Sequence, residues 1–101
     1  MTLHIDTPLL ESQPLSQHLG RRVLLKMDAL QPPGSFKIRG IGYACEEHAK
    51  RGKRRFVSSS GGNAGIAVAY AGRALSIPDT VVVPQSTGER AKDLIRLQGA
   101  D

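Results

Sequence analysis

Arg55-Phe56-Val57-Ser58-Ser59-Ser60-Gly61-Gly62-Asn63-Ala64-Gly65-Ile66-Ala67-Val68-Ala69-Tyr70-Ala71-Gly72-Arg73-Ala74-Leu75 holds the reading that decides the fold. Arg55 to Ser58 reads as a short strand, Ser59 to Gly62 as a tight loop, and Asn63 to Leu75 as a helix rich in small residues. Small side chains let a helix come close to a sheet or a ligand. Downstream, Ser76-Ile77-Pro78-Asp79 is a turn. Thr80-Val81-Val82-Val83 follows, β-branched throughout, and is expected to be a strand buried on both faces. Pro84 closes it. Ser86-Thr87-Gly88-Glu89 fits a capping box, with Ser86 at the N-cap and Glu89 at N3. Ala91, Leu94, Ile95 and Leu97 supply the apolar face of the helix that follows, and Gly99 stops it.

Upstream, Val23-Leu24-Leu25-Lys26-Met27 reads as another strand. Gln31-Pro32-Pro33-Gly34-Ser35 cannot be regular structure, because two prolines fix φ. Ser35 is expected to cap a helix in which Ile38, Ile41, Gly42, Cys45, His48 and Ala49 recur at helical spacing to about Lys50, and Gly52 ends it. The alternation of strand and helix predicts an α/β fold, a parallel twisted sheet flanked by helices with right-handed crossovers.

Composition bounds the possibilities. In 101 residues, 40% are hydrophobic and 23% charged, which excludes wholesale disorder. No apolar run is long enough to span a membrane. Met1 to Asp6 lacks the basic and apolar regions of a secretory signal. One cysteine, Cys45, cannot form an internal disulfide, so a reducing, cytoplasmic setting is expected. The excess of cations is concentrated in Lys50, Arg51, Lys53, Arg54 and Arg55. This cluster reads either as a phosphate-contacting patch or as a solvated helix end whose charges suit the C-terminal dipole. With four scattered aromatics there is no stacking platform for bases, and nucleic acid is not expected as a partner. His4, His18 and His48 do not form a metal-spaced set.

Two segments carry chemistry. Ser59 to Gly65, between strand and helix, points backbone N–H groups toward the sheet edge, where a carboxylate or small phosphate would bind. It lacks the spacing of a P-loop or of a dinucleotide fingerprint. The alternative is a tight turn with Asn63 capping the helix. In Pro32-Pro33-Gly34-Ser35-Phe36-Lys37-Ile38-Arg39-Gly40 a lysine opens a helix, where the dipole disfavours its charge and burial would disfavour it further. A neutral lysine amine is nucleophilic and forms Schiff bases with aldehydes. The alternative is an exposed lysine with a snorkelling stem.

Taken together, these two motifs resemble the fold type II enzymes that use pyridoxal 5′-phosphate, and among them the L-serine/L-threonine dehydratases, or ammonia-lyases. The resemblance runs from Thr7-Pro8-Leu9 through Leu25-Lys26-Met27-Asp28 and both motifs to Val81-Val82-Val83-Pro84. It implies that Lys37 holds the cofactor as a Schiff base and moves protons at the substrate carbons. Phe36 would pack against the pyridine ring, and Asn63 would hydrogen-bond the cofactor's 3′-oxygen. Ser60, Gly61 and Asn63 would bind the substrate carboxylate. The implied reaction is β-elimination of an amino acid to a 2-oxo acid and ammonia, pyruvate in the case of serine.

The resemblance also makes the chain the N-terminal third of a cytoplasmic two-domain enzyme, commonly a homodimer. Residues 1–40 would begin the large cofactor-binding domain, and 41–101 would form most of the small one. The glycine-rich loop for the cofactor phosphate would lie downstream of these motifs, and the end at Gly99-Ala100-Asp101 falls where another strand is expected. Lys26 and Asp28 receive no catalytic role. The competing readings are another type II enzyme, a racemase or synthase, and a non-catalytic module binding a small anion or nucleic acid.

Overall fold

Residues 2–101 are described by a computed structural model. The first strand, β1 (Leu9–Glu11), leads into a short helix, α1 (Gln13–Leu19). Ser12 caps that helix by accepting the Leu15 N–H at 3.3 Å, and Gly20, at φ 64°, ends it in the left-handed conformation that favours glycine. Strand β2 (Leu24–Lys26) then pairs antiparallel with β1, Leu10 opposite Leu25. Sequence reading found neither β1 nor α1. Every residue of β1 is exposed and no residue of α1 is buried, so neither shows an apolar face.

A 3₁₀ turn at Asp28–Leu30 and the proline loop lead to helix α2 (Lys37–Lys50). Strand β3 (Phe56–Ser58), helix α3 (Asn63–Leu75), strand β4 (Asp79–Val81) and helix α4 (Glu89–Leu97) complete the order. β3 and β4 are parallel neighbours, Val57 opposite Thr80, joined by a crossover through α3. The parallel expectation therefore holds for β3 and β4 and fails for β2, which belongs to a separate antiparallel pair. That pair is possible because β1 and β2 are joined by a short helix on one side of the chain, with no crossover between them.

The core is centred on α3. One face meets Leu3, Ile38, Cys45 and Phe56 through Ala67 and Ala71. The other meets Val81, Ile95 and Ala100 through Ile66 and Ala69. The small residues are needed for this. A Cβ at Gly72 would sit 2.8 Å from the Ile77 carbonyl and 2.9 Å from Asp79 Cγ. Ile38 is wholly buried, which contributes about 2 kcal/mol.

Two expectations at β4 and α4 are corrected. Val82 lies beyond β4 and is 56% exposed, so the β-branched run is not covered on both faces within these residues. The capping box does not form either. α4 starts at Glu89, with Gly88 as an N-cap that offers no side chain. The chain bends at Pro84, whose carbonyl accepts the Thr87 N–H at 3.0 Å, and this turn takes up the residues the box would have used. The stop at Gly99, with φ of 90°, is as read.

Candidate functional site

The last turns of α2 and α3 bring Glu46, Ala49, Lys50 and Leu75 around one depression. The two helices thus run the same way and begin at the same end of the layer. β3 returns between them, so that end is also where β3 and β4 finish. This places Lys37, the first residue of α2, and Asn63, the first residue of α3, at one end of the molecule.

The two segments meet that end differently. The 59–65 turn closes on itself: the Ser60 hydroxyl accepts the Gly62 N–H at 3.2 Å, and the Ser58 hydroxyl accepts the Ser60 N–H at 3.4 Å. Two glycines of the turn are fixed by packing. A Cβ at Gly65 would overlap the Ser60 carbonyl oxygen, and one at Gly61 would lie 2.9 Å from Thr87 Oγ1. Only at Gly62 is the Cβ direction open, with Ser60 Oγ at 3.9 Å its one neighbour.

Asn63 does not cap α3. The N-cap is Gly62, without a side-chain cap. The first-turn N–H groups are consequently open to an external acceptor, and the helix dipole favours an anion there.

Lys37 is exposed, and its Nζ stands 5.2 Å from the centre of the Phe36 ring, itself 57% exposed. This is the exposed alternative, because nothing among these residues covers this side of α2. Ser35 is not the helix cap: Phe36 occupies that position in helical conformation and gives no cap bond. The Ser35 hydroxyl is buried without a partner among the described residues. Among the described residues, Lys37 makes no hydrogen bond or ion pair with Ser60, Gly61 or Asn63.

Sequence reading gave Asp28 no role, yet its carboxylate organises the approach to Lys37. Oδ1 accepts from Thr7 Oγ1 at 2.8 Å, Gln31 Nε2 at 3.1 Å and Arg39 Nη2 at 2.9 Å, and Oδ2 accepts from Arg39 Nε at 2.9 Å. The Arg39 guanidinium, then Gln31 and Thr7, hold the Asp28 carboxyl well below the usual carboxylate range, and Asp28 in turn raises Arg39. Gln31 is nearly buried and bonds both backbone groups of Ile5 at 2.9 Å, as a strand neighbour would. The one signal for this cluster was Asp28 and Arg39 themselves, flanking a rigid loop. Their meeting depends on the path of that loop, which spacing does not reveal.

Other reactive groups lie elsewhere. Cys45 is buried, and burial, aided by the nearby Asp79 charge, pushes its thiol up to about 11, so it stays protonated. In the basic segment, Lys50 pairs with Glu47 at 3.3 Å, and Arg55 bonds Thr80 Oγ1 and pairs with Asp101. No cluster of potential metal ligands occurs among the described residues.

The donor set fits an aldehyde cofactor with an anionic group beside it. It comprises a free amine, an exposed amide, an unpartnered buried hydroxyl two residues from that amine, and an uncapped helix start.

Comparison with known proteins agrees. A model of the family described as pyridoxal-phosphate dependent enzymes matches residues 1–101. A human serine dehydratase-like protein is 56% identical over 98 residues, which is 97% of this chain and 30% of that one. The L-serine dehydratase/L-threonine deaminase of Mus musculus is 54% identical over 99 residues, 98% of this chain and 30% of the other. A fungal L-serine ammonia-lyase from Rhizomucor miehei superposes with a TM-score of 0.89 at 40% identity, covering 99% of this chain and 32% of the other. The chain thus spans about 30% of the length of the curated relatives it matches. With a family match over every residue and the fold shared with such enzymes, the chain belongs to the pyridoxal-phosphate dependent enzyme family.

Proposed function

We propose that these residues form the lysine-bearing part of an L-serine ammonia-lyase that also accepts L-threonine. The observation that carries this reading is the shared end of α2 and α3, with the exposed Lys37 amine at one helix start and the uncapped turn at the other. The names of the similar human, mouse and fungal proteins support the choice of substrate.

In this reading Lys37 would hold pyridoxal 5′-phosphate through its amine, Phe36 would pack against the pyridine ring, and Asn63 would donate to the cofactor's 3′-oxygen. When bound, the cofactor supplies an electron sink for charge developing at the substrate α-carbon. Lys37 takes the α-proton and returns a proton to the departing hydroxyl. The N–H groups of Gly61 and Asn63, with the Ser60 hydroxyl, bind the substrate carboxylate, aided by the α3 dipole. Ser60 also holds Gly62 and thereby the shape of the turn. Substrate binding in this arrangement fixes the α-hydrogen toward Lys37, which is where most of the rate gain from orientation arises.

The same proposal assigns residues 1–40 to the start of the large domain and 41–101 to the small one, in a cytoplasmic homodimer. No helix of the described residues is long and apolar enough to cross a membrane.

The test is a product assay. The protein at its natural length, saturated with pyridoxal 5′-phosphate, is given L-serine. Pyruvate and ammonia in equal amounts are expected, and their loss in Lys37→Ala. D-Serine without pyruvate would replace this reading with a racemase.

A further inference from the structure

We propose that the Asp28–Arg39 pair is a positioning device for Lys37, acting through the first turn of α2. The inference rests on the assignment of Lys37 as the cofactor-holding amine. Arg39 lies two residues beyond Lys37 in the same turn. At about 100° per residue the two side chains leave the helix on nearly opposite faces. Ile38, between them, is wholly buried. With Ile38 held in the core and Arg39 tied to Asp28, the remaining direction for Lys37 is outward, toward the end of the layer shared with Asn63.

The first turn needs such an anchor. Its N-cap, Phe36, gives no side-chain bond, and the loop before it turns through Gly34 at φ 89°. Left to its backbone alone, this helix start would fray. The anchor is also specific in direction. Arg39 uses two nitrogens on two oxygens, both at 2.9 Å, and a fork-on-fork pair admits one planar arrangement.

Asp28 is not free to follow Arg39, because Thr7 of the N-terminal segment holds it at 2.8 Å and Gln31, at the end of its own 3₁₀ turn, at 3.1 Å. The pair thus fixes both the rotation of the turn and its distance from the N-terminal segment. Asp6 is the other charge that acts on Arg39, and it lies on the same N-terminal segment.

The experiment uses the protein at its natural length with pyridoxal 5′-phosphate, in wild type, Arg39→Lys, Asp28→Asn and Lys26→Met. Borohydride fixes the cofactor on the lysine that holds it, and peptide mass gives the rate of labelling at Lys37. Melting temperature and steady-state kinetics on L-serine are measured beside it. Arg39→Lys keeps the charge but loses the fork. Labelling at Lys37 and kcat are both expected to fall about tenfold or more, with KM within about twofold, a loss typical of a misplaced reacting group.

Asp28→Asn is expected to do the same, and it carries the test alone if Arg39→Lys does not fold. Lys26→Met removes a different bond of the same region, from Nζ to the Thr7 carbonyl at 2.6 Å, and leaves labelling unchanged. Wild-type labelling rates and kcat in both clamp variants, or a lowered melting temperature as the sole effect, would overturn the inference. Failure of the wild type itself to label at Lys37 would instead overturn the assignment of Lys37, and the clamp with it.

Discussion

Asp28 and Asp79 are carboxylates driven in opposite directions by their surroundings. Asp28 is held low, chiefly by Arg39, so its contribution to stability is present above its unfolded pKa and is lost as pH falls through the folded one. Asp79 is raised, chiefly by burial and further by Asp101, against the pull of its own backbone N–H and of Arg55. Its Oδ2 has no partner among the described residues. The contribution of Asp79 is therefore present below its unfolded pKa and is lost as pH rises through the folded one. Urea unfolding should show Asp79→Asn more stable than wild type at pH 7, with the advantage shrinking toward pH 4. Asp28→Asn should be less stable at pH 7, with its deficit also shrinking in acid. At the two tight glycines of the 59–65 turn, Gly65→Ala is expected to cost about 3 kcal/mol, since its Cβ meets backbone, and Gly61→Ala about 1, since Thr87 can rotate away. Site legibility differs at this scale too. Lys37 and Asn63 were readable as candidates because glycine and proline punctuate the chain around them. Asp28 was not, because a carboxylate gains its role only from where a loop delivers Arg39.

Among the elements, α3 was legible to its ends, Asn63 and Leu75, because alanine and glycine leave few other roles for such a run and the flanking turns are sharp. α2 was legible from Lys37 to Lys50, but its cap was not, since Ser35 is turned inward and Phe36 takes the cap position. The start of α4 was misread because Ser86 and Glu89 have capping-box spacing while Pro84 commits the chain to a separate turn. That start can be improved. Gly88 has extended dihedrals, no cap bond and open space at its Cβ. Gly88→Asp should therefore raise stability by about 0.5–1 kcal/mol, from the added cap and the stiffer unfolded chain, as read by chemical denaturation.

At the scale of the whole molecule, the alternation of strand and helix conveyed the α/β class and the parallel pairing of β3 with β4, because a crossover helix between two β-branched runs has few other solutions. It did not convey the partition into two sheets, since pairing between β1 and β2 depends on contacts that no period encodes. The residues of both strands are exposed, Leu9 to 59% and Leu10 to 51%, and Asp101 bonds Asp79 and Val81 along the edge of β4 opposite β3. The proposed function stands or falls on Lys37 being the amine that holds pyridoxal 5′-phosphate. Borohydride reduction of the protein with the cofactor, followed by peptide mapping, tests it most directly. The label should lie on the peptide containing Lys37 and vanish in Lys37→Ala. Label shared evenly among Lys26, Lys37, Lys50, Lys53 and Lys92, and retained in that variant, would contradict it.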